Sequence, residues 1–224
     1  MTDASFQIPP TIDYIATFTW ASSGALVGIR KHFDVIGVFV IALVSSLGGG
    51  LVRDALFLQR TPVLLTDPVY LPLIAVTVAL FSLFTGPVTR ILKVETIQKM
   101  VDVIDAVGIP IFAVIGMQLA EAQGIPVGGI VFVGVVNGTA GGLLRDVLVR
   151  EVPAILRPGQ FVTLLLLLAC GLFMVLKRYA DVSASRAAWT AACSFFVLRV
   201  LAIRFNWTTR SLLPESHTGD PGAE

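Results

Sequence analysis

Two short segments of this chain combine residue types that a lipid-facing helix avoids. The first reads Gly48-Gly49-Gly50-Leu51-Val52-Arg53-Asp54 and the second Ala140-Gly141-Gly142-Leu143-Leu144-Arg145-Asp146. Glycine weakens a helix, and ionised side chains are costly at membrane depth. Neutral oxygen donors lie close by: Ser45, Ser46 and Thr66 near the first segment, Asn137 and Thr139 near the second. An unwound turn frees carbonyl oxygens that, with such hydroxyls and amides, can replace the water around a monovalent cation. Arginines and the amino ends of half-helices favour anions instead. These residues point to a polar site inside a membrane and leave the sign of its ion open.

Composition agrees with the membrane setting. The chain of 224 residues is 55% hydrophobic and 14% charged, with a mean hydropathy of +0.85. A soluble domain carries about a quarter charged residues. The net charge of +1 points to no nucleic-acid partner. Cys170 and Cys193 sit in apolar runs and read as small packing residues. His32 and His217 are far apart, so no metal-ligand spacing exists, and no Ser-His-Asp grouping or nucleotide-binding loop is visible. No cofactor, metal or enzymatic activity is expected. Residues 1–10 lack the basic lead of a signal peptide, so the first apolar segment is expected to be retained.

A spanning helix needs about 20 mostly apolar residues. Seven stretches qualify, near 11–30, 34–58, 68–86, 100–121, 126–149, 160–177 and 185–205. Lys and Arg divide nine against four between the two sides, which puts the N-terminus outside and the C-terminus in the cytoplasm. A single domain over 1–212 is expected, followed by a polar, disordered tail over 213–224. Asp13, Asp102 and Asp105 read as helix caps. Arg199 and Arg204 read as snorkelling toward the cytoplasmic interface, and Trp20 as an interfacial or packing residue. The basic connection over 87–99 can meet anionic lipid.

Shifted by 92 residues, the chain overlays itself. Asp13 falls on Asp105, Gly24 on Gly116, Ser45 on Asn137, Gly49 and Gly50 on Gly141 and Gly142, and Arg53-Asp54 on Arg145-Asp146; after Leu56 the register slips by one, so that Pro62 meets Pro153. The repeats, about 11–86 and 100–177, each hold three helices. Three is odd, so the second enters from the opposite side, and a pseudo-two-fold axis in the membrane plane relates them. Helix 7 lies outside the repeat. Helices 2 and 5 become partners whose glycine breaks should meet near the midplane. Adjacent residues diverge around a helix, so Arg53 is expected to face Asp146, and Asp54 to face Arg145.

Seven spans, inverted three-helix repeats and paired Gly-Gly-x-x-Arg-Asp segments resemble the TRIC family of trimeric intracellular cation channels, over about residues 11–205. The resemblance implies an all-α integral membrane protein in a bacterial inner membrane. It also implies a homotrimer whose subunits each hold a potassium-conducting pore between helices 2 and 5. Carried over, the helix kinks are Gly48, Gly49, Gly50, Gly141 and Gly142, and the pore-lining residues are Ser45, Ser46, Arg53, Asp54, Asn137, Thr139, Arg145 and Asp146. Monovalent cations and membrane lipids are the implied partners. Lys93-Val94-Glu95 only loosely echoes the phosphoinositide-binding stretch of animal members and is not carried over. A secondary transporter using the same repeats is the alternative.

Overall fold

A computed structural model describes residues 10–88, 94–157, 161–180, 182–205 and 207. Among the described residues seven long helices follow in order: α1 Pro10–Arg30, α2 Val35–Val52, α3 Tyr70–Val88, α4 Val94–Ala122, α5 Val127–Leu148, α6 Val162–Tyr179 and α7 Ala184–Arg204. A π-helical turn, Arg53–Phe57, prolongs α2, and a single turn, Val63–Thr66, precedes α3. Five of the seven are long and apolar enough to cross a membrane; α1 is more polar, and the described apolar part of α3 is Tyr70–Leu83. The N-terminal lead, the connection around Arg90 and Lys93, and the tail from Leu213 lie outside the described residues.

Local chemistry sets the helix ends. Pro10 opens α1, where its missing N–H costs nothing. The Asp34 carboxylate caps α2 by accepting from the Gly37 amide at 2.7 Å. Helix α4 starts at Val94, ahead of the expected boundary at 100, because its first turns are amphipathic: Ile97 and Val101 are buried while Glu95, Thr96 and Lys99 face outward. Asp102 and Asp105 are therefore inside a helix of 29 residues rather than at its cap.

Packing follows the repeat. Helices α1, α2 and α3 form one triplet and α4, α5 and α6 the other, while α7 packs on α6 and α4. Across the triplets α1 meets α4 and α2 meets α5, so the first two helices of each triplet meet their own equivalents, as packing about a two-fold axis allows. The α2–α5 crossing makes this explicit. A Cβ placed on Gly49 would strike the Asn137 carbonyl oxygen, and one on Gly141 would strike that of Ser45. Both contacts join equivalent positions under the 92-residue shift.

The glycines do not break their helices. Helix α2 runs as α-helix through Gly48–Gly50, and α5 through Gly141 and Gly142. Without Cβ atoms they let two backbones touch. The departure from α geometry comes later, at Arg53–Phe57, where the Leu58 amide donates to the Arg53 carbonyl at 3.0 Å. A π turn is a helix with one residue inserted. It accounts for the register slip between repeats. Gln59 and Arg150, 91 apart, both take left-handed backbone at φ 46° and 56°. Arg60 N donates to Asp54 O as Glu151 N donates to Asp146 O. The insertion is absorbed in one turn, and the loops beyond it match again.

One ion cluster staples the repeats together. Glu151, just after α5, takes Arg30 at 2.7 Å and Lys31 at 2.8 Å from the end of α1, with Arg157 at 3.5 Å. Burial alone would raise the Glu151 carboxyl. The hydrogen bond from Lys31 and the charge of Arg30 outweigh that and hold it below its ordinary 4.5. A lowered carboxylate pKa adds stability above the ordinary value and loses it as pH falls through the lowered one. Glu151→Gln should cost about 0.5–1 kcal/mol at neutral pH, as for a partly exposed pair. In detergent melts taken from neutral pH to below 4.5, the wild type should lose its advantage over this variant.

Candidate functional site

Two cavities, one in each triplet, hold the repeated Arg-Asp segments. The first, about 340 Å³ including its open mouth, is lined by Asp13, Thr17, Ser46, Gly50, Arg53, Asp54 and Tyr70, with Phe112 reaching in from α4. The second, about 370 Å³, is lined by Asp102, Asp105, Thr139, Gly142, Arg145, Asp146 and Arg199, with Trp20 reaching in from α1. Most lining positions correspond under the 92-residue shift, including the exchange of Phe112 for Trp20. Between the cavities lies the α2–α5 crossing of Ser45, Gly49, Asn137 and Gly141.

Each arginine is tied to the acid beside it, against the expected crossed pairing. Arg53 donates Nε to Asp54 Oδ1 at 2.7 Å and Nη2 to Asp54 Oδ2 at 3.0 Å. Arg145 donates Nε to Asp146 Oδ1 at 2.9 Å. Neighbouring Cβ atoms do diverge on a helix, but the long arginine stem lets the guanidinium return to the next carboxylate. That geometry is bidentate for Arg53, the stronger kind of charge-assisted bond.

The pairs also hold the following loops. Asp54 accepts from Arg60 Nε at 2.9 Å and from the Val63 amide at 3.4 Å; Asp146 accepts from the Ala154 amide at 3.2 Å. Asp54 is fully buried, and Arg53, Arg145 and Asp146 are buried with it. Each of these buried groups has a partner of opposite sign, which offsets the cost of burying it.

The sites differ in their remaining partners. Arg145 reaches two carboxylates, donating to Asp105 at 2.9 and 3.1 Å and also to Ser23, whose hydroxyl donates to the same Asp105. Its guanidinium lies over Trp20 at 5.8 Å, which makes that buried indole a packing residue inside the bundle. Among the described residues Arg53 has Asp54 as its one bonded acid, and it donates at 3.3 Å to Asn137 Oδ1, across the crossing. Asn137 donates in turn to the Phe112 carbonyl at 2.5 Å. In the first cavity Asp13 accepts from Tyr70.

Of the expected site residues, Ser46, Gly50, Arg53 and Asp54 line the first cavity, and Thr139, Gly142, Arg145 and Asp146 the second. Gly48, Gly49 and Gly141 pack at the crossing. Ser45 is buried there, its hydroxyl without a hydrogen-bond partner among the described residues. Thr66 caps its own exposed turn instead. Sequence reasoning missed Asp13, Asp105, Asp102 and Arg199 as cavity residues. Asp13 and Asp105 share the offset of the Arg-Asp segments, which was a signal that their role is repeated too. Arg199 is 4% exposed and does not snorkel.

Known proteins share this organisation. The family model described as Glycine transporter matches residues 10–86 and again 102–178, the same 92-residue offset. A UPF0126 membrane protein of Vibrio cholerae is 34% identical over 199 residues, covering 87% of this chain and 79% of that protein. One from Deinococcus radiodurans is 35% identical over 145 residues, so the match spans 65% of each chain. The solved TRIC trimeric intracellular cation channel orthologue from Rhodobacter sphaeroides is 26% identical, with a TM-score of 0.78 over 88% of this chain and 97% of that one. Matched in both repeats and similar to these relatives along most of its length, the chain belongs to the family described as Glycine transporter and has the seven-helix fold of the TRIC channels that its sequence resembles.

Proposed function

We propose that the chain conducts monovalent cations, potassium foremost, through a path inside each subunit that joins the two cavities across the α2–α5 crossing. The observation that carries this reading is the state of the arginines. Arg53 and Arg145 spend their guanidinium groups on Asp54, on Asp105 and Asp146, and on Asn137 and Ser23. Their charge is offset where it sits, so carboxylates and hydroxyls set the character of the path. Ser45 offers a buried hydroxyl at the α2–α5 crossing, with Ser46 in the first cavity and Thr139 in the second. In this reading the gate is the glycine contact, where α2 and α5 would part to let an ion through. Homotrimeric assembly, a lipid-surrounded setting in an inner membrane and a cytoplasmic C-terminus complete the reading.

The test is reconstitution of the purified protein into planar bilayers under asymmetric potassium chloride. Unitary currents on the order of picoamperes, reversing near the potassium equilibrium potential, are expected. Reversal toward the chloride potential would overturn the cation assignment. A second reading draws on the family's description and on the closed crossing between the cavities: a carrier that moves a small solute such as glycine by alternating access. Saturable uptake of labelled glycine into proteoliposomes, with no unitary current, would favour it.

A further inference from the structure

The second cavity contains charges with no counterpart in the first. Asp102 corresponds to Pro10 under the 92-residue shift, and Arg199 comes from α7, which lies outside both repeats. Arg199 is buried and lines this cavity together with Asp102, Asp105, Arg145 and Asp146. It interacts electrostatically with Asp102 and Asp105, and α7 packs directly along α4, which carries both acids. With all groups ionised, the five charges leave the second cavity at −1; without Arg199 they would leave it at −2. The first cavity is lined by Asp13, Asp54 and Arg53, and Asp54 is also paired at 2.9 Å with Arg60 outside the lining.

From this asymmetry we infer that α7, through Arg199, sets how strongly cations enter from the side of the second cavity, and so limits how directional the conduction of a two-fold-symmetric path becomes. The inference rests on the channel reading above. Arg199 is a specificity-determining residue: it holds the field of Asp102 and Asp105 in check rather than binding the ion. A unit charge roughly 6 Å from a water-filled path changes local cation occupancy by about threefold. The effect acts at one mouth only, so it appears as rectification rather than as a uniform change in conductance.

The experiment records current–voltage relations of the reconstituted full chain in symmetric potassium chloride, for wild type, R199Q, R199K and D102N. R199Q should raise current carried from the second-cavity side by about threefold at low salt. D102N should shift the rectification ratio in the opposite direction, and R199K, which keeps the charge, should stay near the wild-type ratio. High salt should shrink all these differences. A ratio unchanged in R199Q while the protein conducts would overturn the inference. So would R199K behaving like R199Q, which would make the role one of shape. Should R199Q fail to fold, D102N decides alone: an opposite shift supports the inference and an unchanged ratio overturns it. A wild type without any current sinks the channel reading and this inference with it, an outcome distinct from conduction that ignores Arg199.

Discussion

Asp54→Asn is expected to lower the melting temperature of the protein in detergent by about 10 °C. The variant keeps the shape of the side chain and removes its charge. Among the described residues Arg53 then stays buried with no bonded carboxylate, since its other hydrogen bond goes to neutral Asn137. Breaking a buried pair from one side costs about 3–5 kcal/mol, most of it the unpaired charge. Asp146→Asn should cost clearly less, because Arg145 keeps Asp105 at 2.9 Å. Arg53→Gln combined with Asp54→Asn should recover much of the loss, because no charge is then stranded. Equal melting temperatures for Asp54→Asn and wild type would mean that Asp54 does not neutralise Arg53. Equal losses at Asp54 and Asp146 would mean that Asp105 gives Arg145 no reserve.

Gly49→Ala and Gly141→Ala should each destabilise the bundle by about 3 kcal/mol, at the upper end for overpacking. The added methyl group meets a backbone carbonyl in each case, that of Asn137 or of Ser45. A flexible side chain could swing away, but a helix backbone can yield only by moving α2 from α5. Gly171→Ala in α6 is the control: among the described residues nothing beyond its own helix backbone lies within 4 Å of its Cβ position. Alanine there should be neutral or stabilising by up to about 1 kcal/mol, from helix propensity alone. Melting curves of the three variants check this directly. If Gly49→Ala and Gly141→Ala melted like Gly171→Ala, the crossing would not be a close contact. The repeat's symmetry also predicts similar losses at 49 and 141, so a one-sided effect would count against a two-fold crossing.

Much of the architecture was legible in the residues. Apolar length marked the spans, and the odd number of helices in each 92-residue repeat required the inversion. The repeat paired Gly50, Arg53 and Asp54 with Gly142, Arg145 and Asp146 and led to the expectation of one shared path; the structure places the two sets at two separate cavities. The crossed salt bridges did not survive, because spacing describes where Cβ atoms point and says little about where a long guanidinium ends. The glycine breaks became contacts for a related reason. A run of glycines permits both an unwound turn and a close crossing, and only the neighbouring helix chooses between them.

The sequence by itself determined that this is a membrane bundle of two inverted halves, with a charged, glycine-lined meeting place. Those properties reside in composition, period and self-similarity, which are local or additive along the chain. Tertiary structure decided what the charges pair with. It brought Asp105 to Arg145 and Arg60 to Asp54, set Arg199 of α7 into a cavity of the second repeat, and confined the register slip to one π turn. A buried charge takes whichever partner desolvation and packing leave within reach, and that choice exists only once the helices are assembled.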